Sequence, residues 1–165
     1  MSFEIAPEPL TAEAFAPFGD VLKADGLADM TINAGLCQRY HDRAQLDFGP
    51  DGRAGISVFD AVPRALPLTV DLMERHPLGS QAFLPLTSHP FLVIVASDKD
   101  GLPDSTRAFI TAPHEGINFH RGTWHGVLTP LHAPGLFAVI DRIGLAPNLE
   151  EHSFPTPLRV LACAP

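Results

Sequence analysis

Residues 81–96 read QAFLPLTSHPFLVIVA, and this stretch decides the fold class. Two apolar runs, 81–86 and 91–96, are rich in residues that favour strands, and the polar segment with Pro90 between them is typical of a turn. The same pattern recurs in other parts of the chain. Further strand candidates are 56–62, 66–73, 108–111 and 136–140, with the shorter Val127 and Leu128. Short strands at such intervals predict an all-β sandwich or barrel.

Length and composition agree with this fold class. The chain has 165 residues and is 45% hydrophobic, which predicts one domain spanning residues 1–165. It contains 17 prolines and 13 glycines without any repeat, which excludes a helical bundle. Near the N-terminus, Thr11 offers a capping hydroxyl to an acidic first turn, so we expect one or two short helices.

The charge balance excludes several kinds of partner. The formal net charge is -8 and only two residues are lysine, so the chain lacks the basic surface that nucleic acids or anionic membranes require. No apolar stretch is long enough for a membrane span and no secretion signal opens the chain, which predicts a cytoplasmic protein. Cys37 and Cys163 lie too far apart in the sequence to indicate a disulfide framework or a zinc-ligand pair.

The first chemically interesting segment begins at Glu74. Glu74 and His76 lie two residues apart at the end of a predicted strand, so their side chains project from the same face. Residues 76–79 read His-Pro-Leu-Gly, which places proline second and glycine fourth in a type I turn. Gln81 then opens the returning strand. This hairpin therefore delivers a carboxylate, an imidazole and an amide into one small volume.

The second segment contains His120 and His125. An offset of five residues puts two side chains on opposite faces of a regular strand. Gly122 interrupts the run between the two histidines and removes that restriction, because a turn there re-orients the chain. Both histidines are therefore candidates for a common cavity.

A metal site is one interpretation of these segments. If a barrel brings His125 close to Glu74 and His76, two imidazoles and one carboxylate form a set that suits iron, nickel or manganese better than structural zinc. Gln81 would be a weak fourth ligand or a hydrogen-bond donor. The alternative is that these are ordinary side chains, since a single histidine on an apolar strand is usually a hydrogen-bonded core or surface residue.

Other side chains are candidates for substrate binding. Arg39 and His41 share a strand face, and either Arg39 or Arg142 could hold a substrate carboxylate through two parallel hydrogen bonds. Asp141 and Arg142 could equally form a structural pair at a strand end. Trp124 either walls a pocket beside the metal candidates or belongs to the core.

The same segments resemble the ureidoglycolate lyase family of allantoin degradation. The resemblance is carried by 74–86, with its Glu-Arg-His-Pro string, and by 116–125, with His-Arg-Gly-Thr-Trp-His. Residues 33–42, 107–110 and 139–142 also look like that family, so the resemblance spans most of the chain. The family is a branch of the cupins, which implies a double-stranded β-barrel, or jelly roll, with one or two short helices.

The resemblance also implies a metal, its ligands and an assembly. Against the general cupin pattern, Glu74, His76 and Gln81 fall where the first motif has two histidines and a glutamate, and His125 falls on the histidine of the second motif. The departures from that pattern are Glu74 and Gln81, and both residue types can still ligate a metal. Nickel is the implied ion, metal-free catalysis stays open, and a homodimer is implied.

The implied reaction splits (S)-ureidoglycolate into glyoxylate and urea. A base removes the hydroxyl proton and an acid delivers a proton to the departing urea nitrogen. Glu74 or a neighbouring histidine such as His76 would be the base, and His120 or His125 the acid. A bound metal could instead polarise the hydroxyl. The expected substrate-binding residues are Arg39, His41, Gln81, Trp124 and Arg142.

Two other functions stay open on the sequence alone. A ureidoglycolate amidohydrolase would attack the ureido carbonyl with an activated water and release ammonia and carbon dioxide. A non-catalytic cupin would bind a small acid in the same pocket without converting it.

Overall fold

The computed structural model describes residues 3–162 of the chain, and β-strands make up most of it. In chain order the strands are β1 (Phe3–Ile5), β2 (Glu8–Pro9), β3 (Gly19–Leu22), β4 (Met30–Ile32), β5 (Cys37–Arg39), β6 (Arg53–Asp60), β7 (Leu68–Arg75), β8 (Gln81–Pro85), β9 (Phe91–Lys99), β10 (Leu102–Ile110), β11 (Gly116–Phe119), β12 (Trp124–His125), β13 (Thr129–Pro130), β14 (Leu136–Ile143) and β15 (Glu150–Val160). One α-helix, α1 (Ala12–Phe15), and one 3₁₀ turn (Asn33–Gly35) complete the described elements.

Two sheets form the framework. The larger runs in the order β1-β15-β7-β12-β9-β10-β2, with β13 also paired to β9, and the smaller runs β3-β11-β8-β14-β6. Strands β4 and β5 form a separate hairpin. The sheets are curled into a half-barrel, which confirms the predicted all-β, cupin-like class with short helices. The assignment of residues 1–165 to one domain stays a prediction.

The stretch that predicts the fold class forms β8 and β9. Its second half is apolar at every position because β9 is buried on both faces. Val93 and Val95 contact the core between the two sheets, where Phe83 of β8 also lies. Leu92 and Ile94 point the other way and join a second apolar cluster on the opposite face of the larger sheet.

The predicted N-terminal helix is confirmed. It is short and spans only four residues, Ala12–Phe15. The Thr11 hydroxyl accepts a hydrogen bond from the backbone N–H of Ala14 at 3.1 Å and caps the helix. Phe15 is fully buried in the core between the sheets. Pro17 comes directly after the C-cap residue Ala16, and proline does not continue a helix. Within residues 3–162, no helix combines the length and the apolar character needed to cross a membrane.

The structure describes one of the two cysteines, so the expectation for the pair stays a prediction. Cys37 is partly buried at the start of β5 and forms no disulfide bond with any described residue. Cys163 lies outside the described residues.

A partly buried network of hydrogen bonds joins the segment after β5 to the outer face of the smaller sheet. One carboxylate oxygen of Asp20 accepts hydrogen bonds from the backbone N–H of Gln45 and the amide of Asn118, both at 2.9 Å. The other oxygen lies 3.1 Å from Nε2 of His120. Burial raises the pKa of Asp20, but the hydrogen bonds from Asn118, Gln45 and His120 outweigh it and hold that pKa below its ordinary value.

We expect Asp20→Asn to lower the free energy of unfolding by about 1 to 3 kcal/mol at pH 7, because a neutral amide oxygen accepts more weakly than the carboxylate from Gln45 and the fully buried Asn118. Urea denaturation measures this. A lowered folded-state pKa stabilises the fold above the ordinary value of 3.8, and this stabilisation is lost as the pH falls through the folded-state pKa. The difference between wild type and variant should therefore shrink only in strong acid.

The matched control is Asp25→Asn, since Asp25 is an exposed carboxylate paired only with Lys23 at the surface. It should leave the unfolding curve unchanged. An equal loss in both variants would contradict the role given to the Asp20 network.

Candidate functional site

Two of the candidate site residues, Glu74 and His125, face the space between the sheets. Glu74 on β7 and His125 on β12 are direct cross-strand partners, so they project from the same face. His125 also pairs with Val95, whose side chain lies in the core between the sheets. From the smaller sheet, the ring of Phe119 stacks on His125 with the centroids 4.3 Å apart and the planes at 4°. Glu74 and His125 therefore face the barrel interior.

His76 completes a three-residue group. It follows β7 by one residue, and its ring centroid lies 5.3 Å from that of His125. Nδ1 of His125 is 3.9 Å from the nearer carboxylate oxygen of Glu74. One ligand atom from each of Glu74, His76 and His125 lies within 4.8 Å of the other two. These three residues are called the cluster below, and the structure brings them together as the sequence analysis expects.

The hydrogen bonds of the two imidazoles leave one nitrogen of each available. Nδ1 of His76 is 2.6 Å from the carbonyl oxygen of Asn148, and Nδ1 of His125 is 3.0 Å from that of Gly126. A carbonyl only accepts, so in the neutral ring Nδ1 carries the proton and Nε2 keeps its lone pair. Both Nε2 atoms are buried with no hydrogen-bond partner among the described residues. Metal-binding histidines are oriented by the same kind of bond to a carbonyl.

Burial shifts the pKa values of His125 and Glu74 in opposite directions. It lowers the pKa of His125 to about 3; the hydrogen bond to the Gly126 carbonyl opposes this lowering, and the charge of the neighbouring His76 increases it. His125 is therefore neutral at physiological pH, which suits a ligand and does not suit a proton donor. Burial raises the pKa of Glu74, although the charge of His76 opposes the shift and Glu151 reinforces it. A carboxyl group with a raised pKa suits proton transfer near neutral pH.

Gln81 lies across the interior on the smaller sheet. It is buried, and it pairs directly with Phe119 on β11 and with Asp141 on β14, so the three side chains share one face. Its Nε2 donates to a carboxylate oxygen of Asp141 at 3.2 Å, and its Oε1 is buried without a partner among the described residues. Gln81 therefore offers the interior an acceptor; the expectation from the sequence was a weak fourth metal ligand or a hydrogen-bond donor.

Two predicted residues lie away from the cluster. His120 packs against Asp20 on the outer face of the smaller sheet. Trp124 pairs with Ala96 and is buried in the apolar cluster on the far face of the larger sheet, where its Nε1 donates to Asp98 at 3.0 Å. Trp124 thus has the core position that the sequence analysis kept as its alternative.

The predicted carboxylate binders are also outside the interior. Arg39 and His41 are exposed on and after the β4–β5 hairpin. Arg142 follows Asp141 on β14, so the two project from opposite faces and form no structural pair. Arg142 lines a cleft of about 440 Å³ beside the 76–79 turn, and its Nε and one terminal nitrogen have no described partner.

Three further residues position side chains of this site, and the sequence pattern did not predict them. Phe119 stacks on His125, Asn148 orients His76, and Asp141 holds Gln81. Phe119 could have been found by alternation along β11, but only if His120 had been assigned to the outer face. Asn148 could not, because it lies in an irregular segment with no pattern that links it to His76.

A curled all-β half-barrel with two imidazoles and one carboxylate facing its interior defines a cupin-like protein with a metal-type site. The family model described as ureidoglycolate lyase matches residues 2–161, and the chain belongs to that family.

Individual relatives agree with the family match. A ureidoglycolate lyase of Rhodobacter capsulatus is 63% identical over 153 residues, which covers 93% of this chain and 95% of the relative. A ureidoglycolate lyase of Chelativorans sp. is 51% identical over 95% of this chain and 96% of the relative. The protein named ureidoglycolate lyase 2 of Rhizobium meliloti is 50% identical, covering 92% and 94%.

We expect His76→Ala and His125→Ala each to weaken the binding of a divalent ion, with Ni²⁺ as the probe, by about tenfold or more, because each removes a nitrogen atom whose lone pair is pre-oriented. Equilibrium dialysis followed by elemental analysis measures the bound ion, and circular dichroism confirms folding. His76 is less buried than His125, so its variant serves even if the His125 variant does not fold.

The matched control is the pair His89 and His132, whose rings have the same separation of 5.3 Å and the same tilt of 41° as the cluster pair. Among the described residues this second pair belongs to no comparable group with a carboxylate. His89→Ala and His132→Ala should keep wild-type nickel binding. Wild-type binding in both cluster variants would show that the cluster is not the metal site.

Proposed function

We propose that this chain is a carbon-nitrogen lyase that cleaves (S)-ureidoglycolate to glyoxylate and urea. The observation that carries the proposal is the convergence of Glu74, His76 and His125 inside the barrel of a chain that belongs to the ureidoglycolate lyase family. A role in allantoin degradation and a cytoplasmic location stay predictions from the sequence.

The reaction needs little more than the movement of one proton. The central carbon of ureidoglycolate carries a hydroxyl, a carboxylate and the ureido nitrogen. When the hydroxyl loses its proton, the C=O bond of glyoxylate forms and the C–N bond breaks, and the departing nitrogen takes up a proton to give urea. A single group that accepts the first proton can return it to the nitrogen, since both atoms are bonded to the same carbon.

Glu74 is the residue that we assign to this proton transfer. It faces the barrel interior, it is partly buried, and burial raises its pKa toward the range in which a carboxyl group both accepts and returns a proton. The two histidines assigned as acid on the sequence are unsuited to that role. The low pKa of His125 keeps it neutral, and His120 lies on the outer face against Asp20.

A divalent metal fits beside this carboxylate, and we propose nickel. The available Nε2 atoms of His76 and His125 and one oxygen of Glu74 would hold it. An ion there would oppose the pKa rise that burial gives Glu74, so the carboxylate would act from its ionised form through its second oxygen. When bound, such an ion supplies a Lewis acid that lowers the pKa of the substrate hydroxyl. The carbonyls of Asn148 and Gly126 keep both imidazoles in the required orientation.

We expect wild-type protein given racemic ureidoglycolate to release urea and glyoxylate in equal amounts from one enantiomer, without ammonia. Glu74→Gln should lower kcat by about 100-fold or more, since it removes the proton carrier and keeps the side-chain size. Urea, ammonia and glyoxylate are assayed separately, with and without a chelator. A loss of rate with chelator that nickel restores would support the metal-assisted form.

The matched control is Glu13→Gln, because Glu13 is an exposed carboxylate in the first turn of α1, away from the cluster. It should keep kcat within about threefold, as expected for a screened surface charge. Ammonia in place of urea would replace the lyase with the amidohydrolase. Glyoxylate release no faster than the spontaneous reaction would favour a binding protein.

We also propose that the chain forms a homodimer through the outer face of the smaller sheet. Val58 and Leu84 lie in one row across Ala138, and Ile56 continues the face along β6. Ile56 is 77% exposed and Val58 68% exposed. Contiguous exposed apolar side chains indicate an interaction surface, and a twofold axis would pair this face with the same face of a second copy.

We expect Val58→Glu to convert the dimer to a monomer, because it places a charge in the apolar contact. Light scattering after size-exclusion chromatography measures the mass. Leu27→Glu is the control, since Leu27 is 96% exposed on a turn outside both sheets. A monomeric wild type, or a dimer that survives Val58→Glu, would refute this interface.

A further inference from the structure

The amide of Gln81 is held in one orientation by its neighbours. In its cross-strand row the flanking side chains are Asp141 on one side and Phe119 on the other. A carboxylate oxygen only accepts hydrogen bonds, so the NH₂ group of the amide must turn to Asp141. The measured bond, 3.2 Å from Nε2 of Gln81 to the carboxylate, has this sense. The carbonyl oxygen is then left at the other end of the amide.

That carbonyl oxygen is a buried acceptor without a partner. Oε1 of Gln81 is shielded from solvent and has no hydrogen bond among the described residues. An unpaired buried acceptor is destabilising, so native proteins usually satisfy it with a water, an ion or a ligand. Phe119, the other flanking residue, stacks on His125, so this row of side chains lies against the cluster across the barrel interior.

The chemistry of the substrate supplies the missing partner. The ureido group carries N–H donors on both of its nitrogens, whereas glyoxylate has none. The cluster offers lone pairs and a carboxylate to the reacting carbon, and it leaves the far end of the ureido group without an assigned contact. An oriented amide carbonyl fits this end, since it accepts a hydrogen bond and repels a carboxylate.

We propose that Asp141 is a positioning residue that fixes Gln81 with its carbonyl oxygen toward the interior, where this oxygen binds the ureido N–H of the substrate. The site thereby selects a leaving group that has N–H donors. This inference rests on the proposed function, because it concerns the same pocket and the same substrate. It assigns Gln81 to the substrate and not to the metal.

The test compares two ligands by calorimetry. Oxalurate keeps the carboxylate and the ureido group but has a carbonyl in place of the carbinol carbon, whereas glyoxylate lacks the ureido group. We expect Asp141→Asn to weaken oxalurate binding by about threefold or more, because Asn can donate to Oε1 of Gln81 as well as accept from its Nε2. Gln81 is then no longer held in the one orientation that turns its carbonyl oxygen to the interior. Glyoxylate binding should stay within about twofold, and the KM for ureidoglycolate should rise with that loss.

A second substitution provides the rescue. In the double variant Asp141→Asn, Gln81→Glu, the carboxylate at position 81 accepts from the new amide with one oxygen and presents the other to the interior as an acceptor. Oxalurate binding should recover toward the wild-type value. A merely structural role for Asp141 does not predict this recovery. Asp60→Asn, the same change on an exposed residue at the far end of β6, should leave both affinities unchanged.

Each of the other outcomes overturns the inference in a recognisable way. An equal loss of oxalurate and glyoxylate binding in Asp141→Asn would indicate general disruption of the pocket. Loss of bound nickel in Gln81→Leu would make Gln81 a metal ligand. A wild-type protein that binds neither compound and does not cleave ureidoglycolate would overturn the proposed function together with this inference, whereas failure of the variants alone leaves the proposed function standing.

Discussion

The pairing of the two-residue strand β12 between β7 and β9 is the constraint on which the site depends. It places His125 opposite Glu74 on one side and Val95 on the other. Because neighbouring residues of a strand project from opposite faces, the same pairing sends Trp124 into the outer apolar cluster. A shift of one residue would exchange the imidazole and the indole, and no cluster would form.

Burial then decides the chemistry of the side chains that this pairing brings together. The barrel interior keeps His125 neutral with its lone pair available, and it raises the pKa of the neighbouring Glu74. The same burial thus disfavours the charged form of both residues. Across the interior, the amide of Gln81 donates a hydrogen bond to Asp141. Hydrogen bonds to the backbone orient the imidazoles, so the polar groups of the site are oriented in advance.

Much of the fold and part of the site could be predicted from local pattern. Continuous apolar runs such as 91–96 indicate buried strands, and the Pro and Gly of the 76–79 turn indicate a hairpin that keeps Glu74 near His76. The role of His120 could not be predicted, since its orientation depends on a bond to Asp20, 100 residues earlier. The position of Arg142 could not be predicted either. Adjacent residues of β14 project from opposite faces, and which face lies inside is decided by the packing of the whole sheet.

The residues alone therefore determined the strand-rich class, the short helix at Thr11, the absence of a basic surface and the family resemblance, because these follow from composition, spacing and motifs read along the chain. Only the tertiary structure decided which side chains meet. It joined Glu74 and His76 to His125 from a segment about fifty residues away, and it excluded Trp124 from the interior. The physical reason is that strand register and sheet curvature are set by packing of the whole core, and a single segment carries no information about the face that its partners will bury.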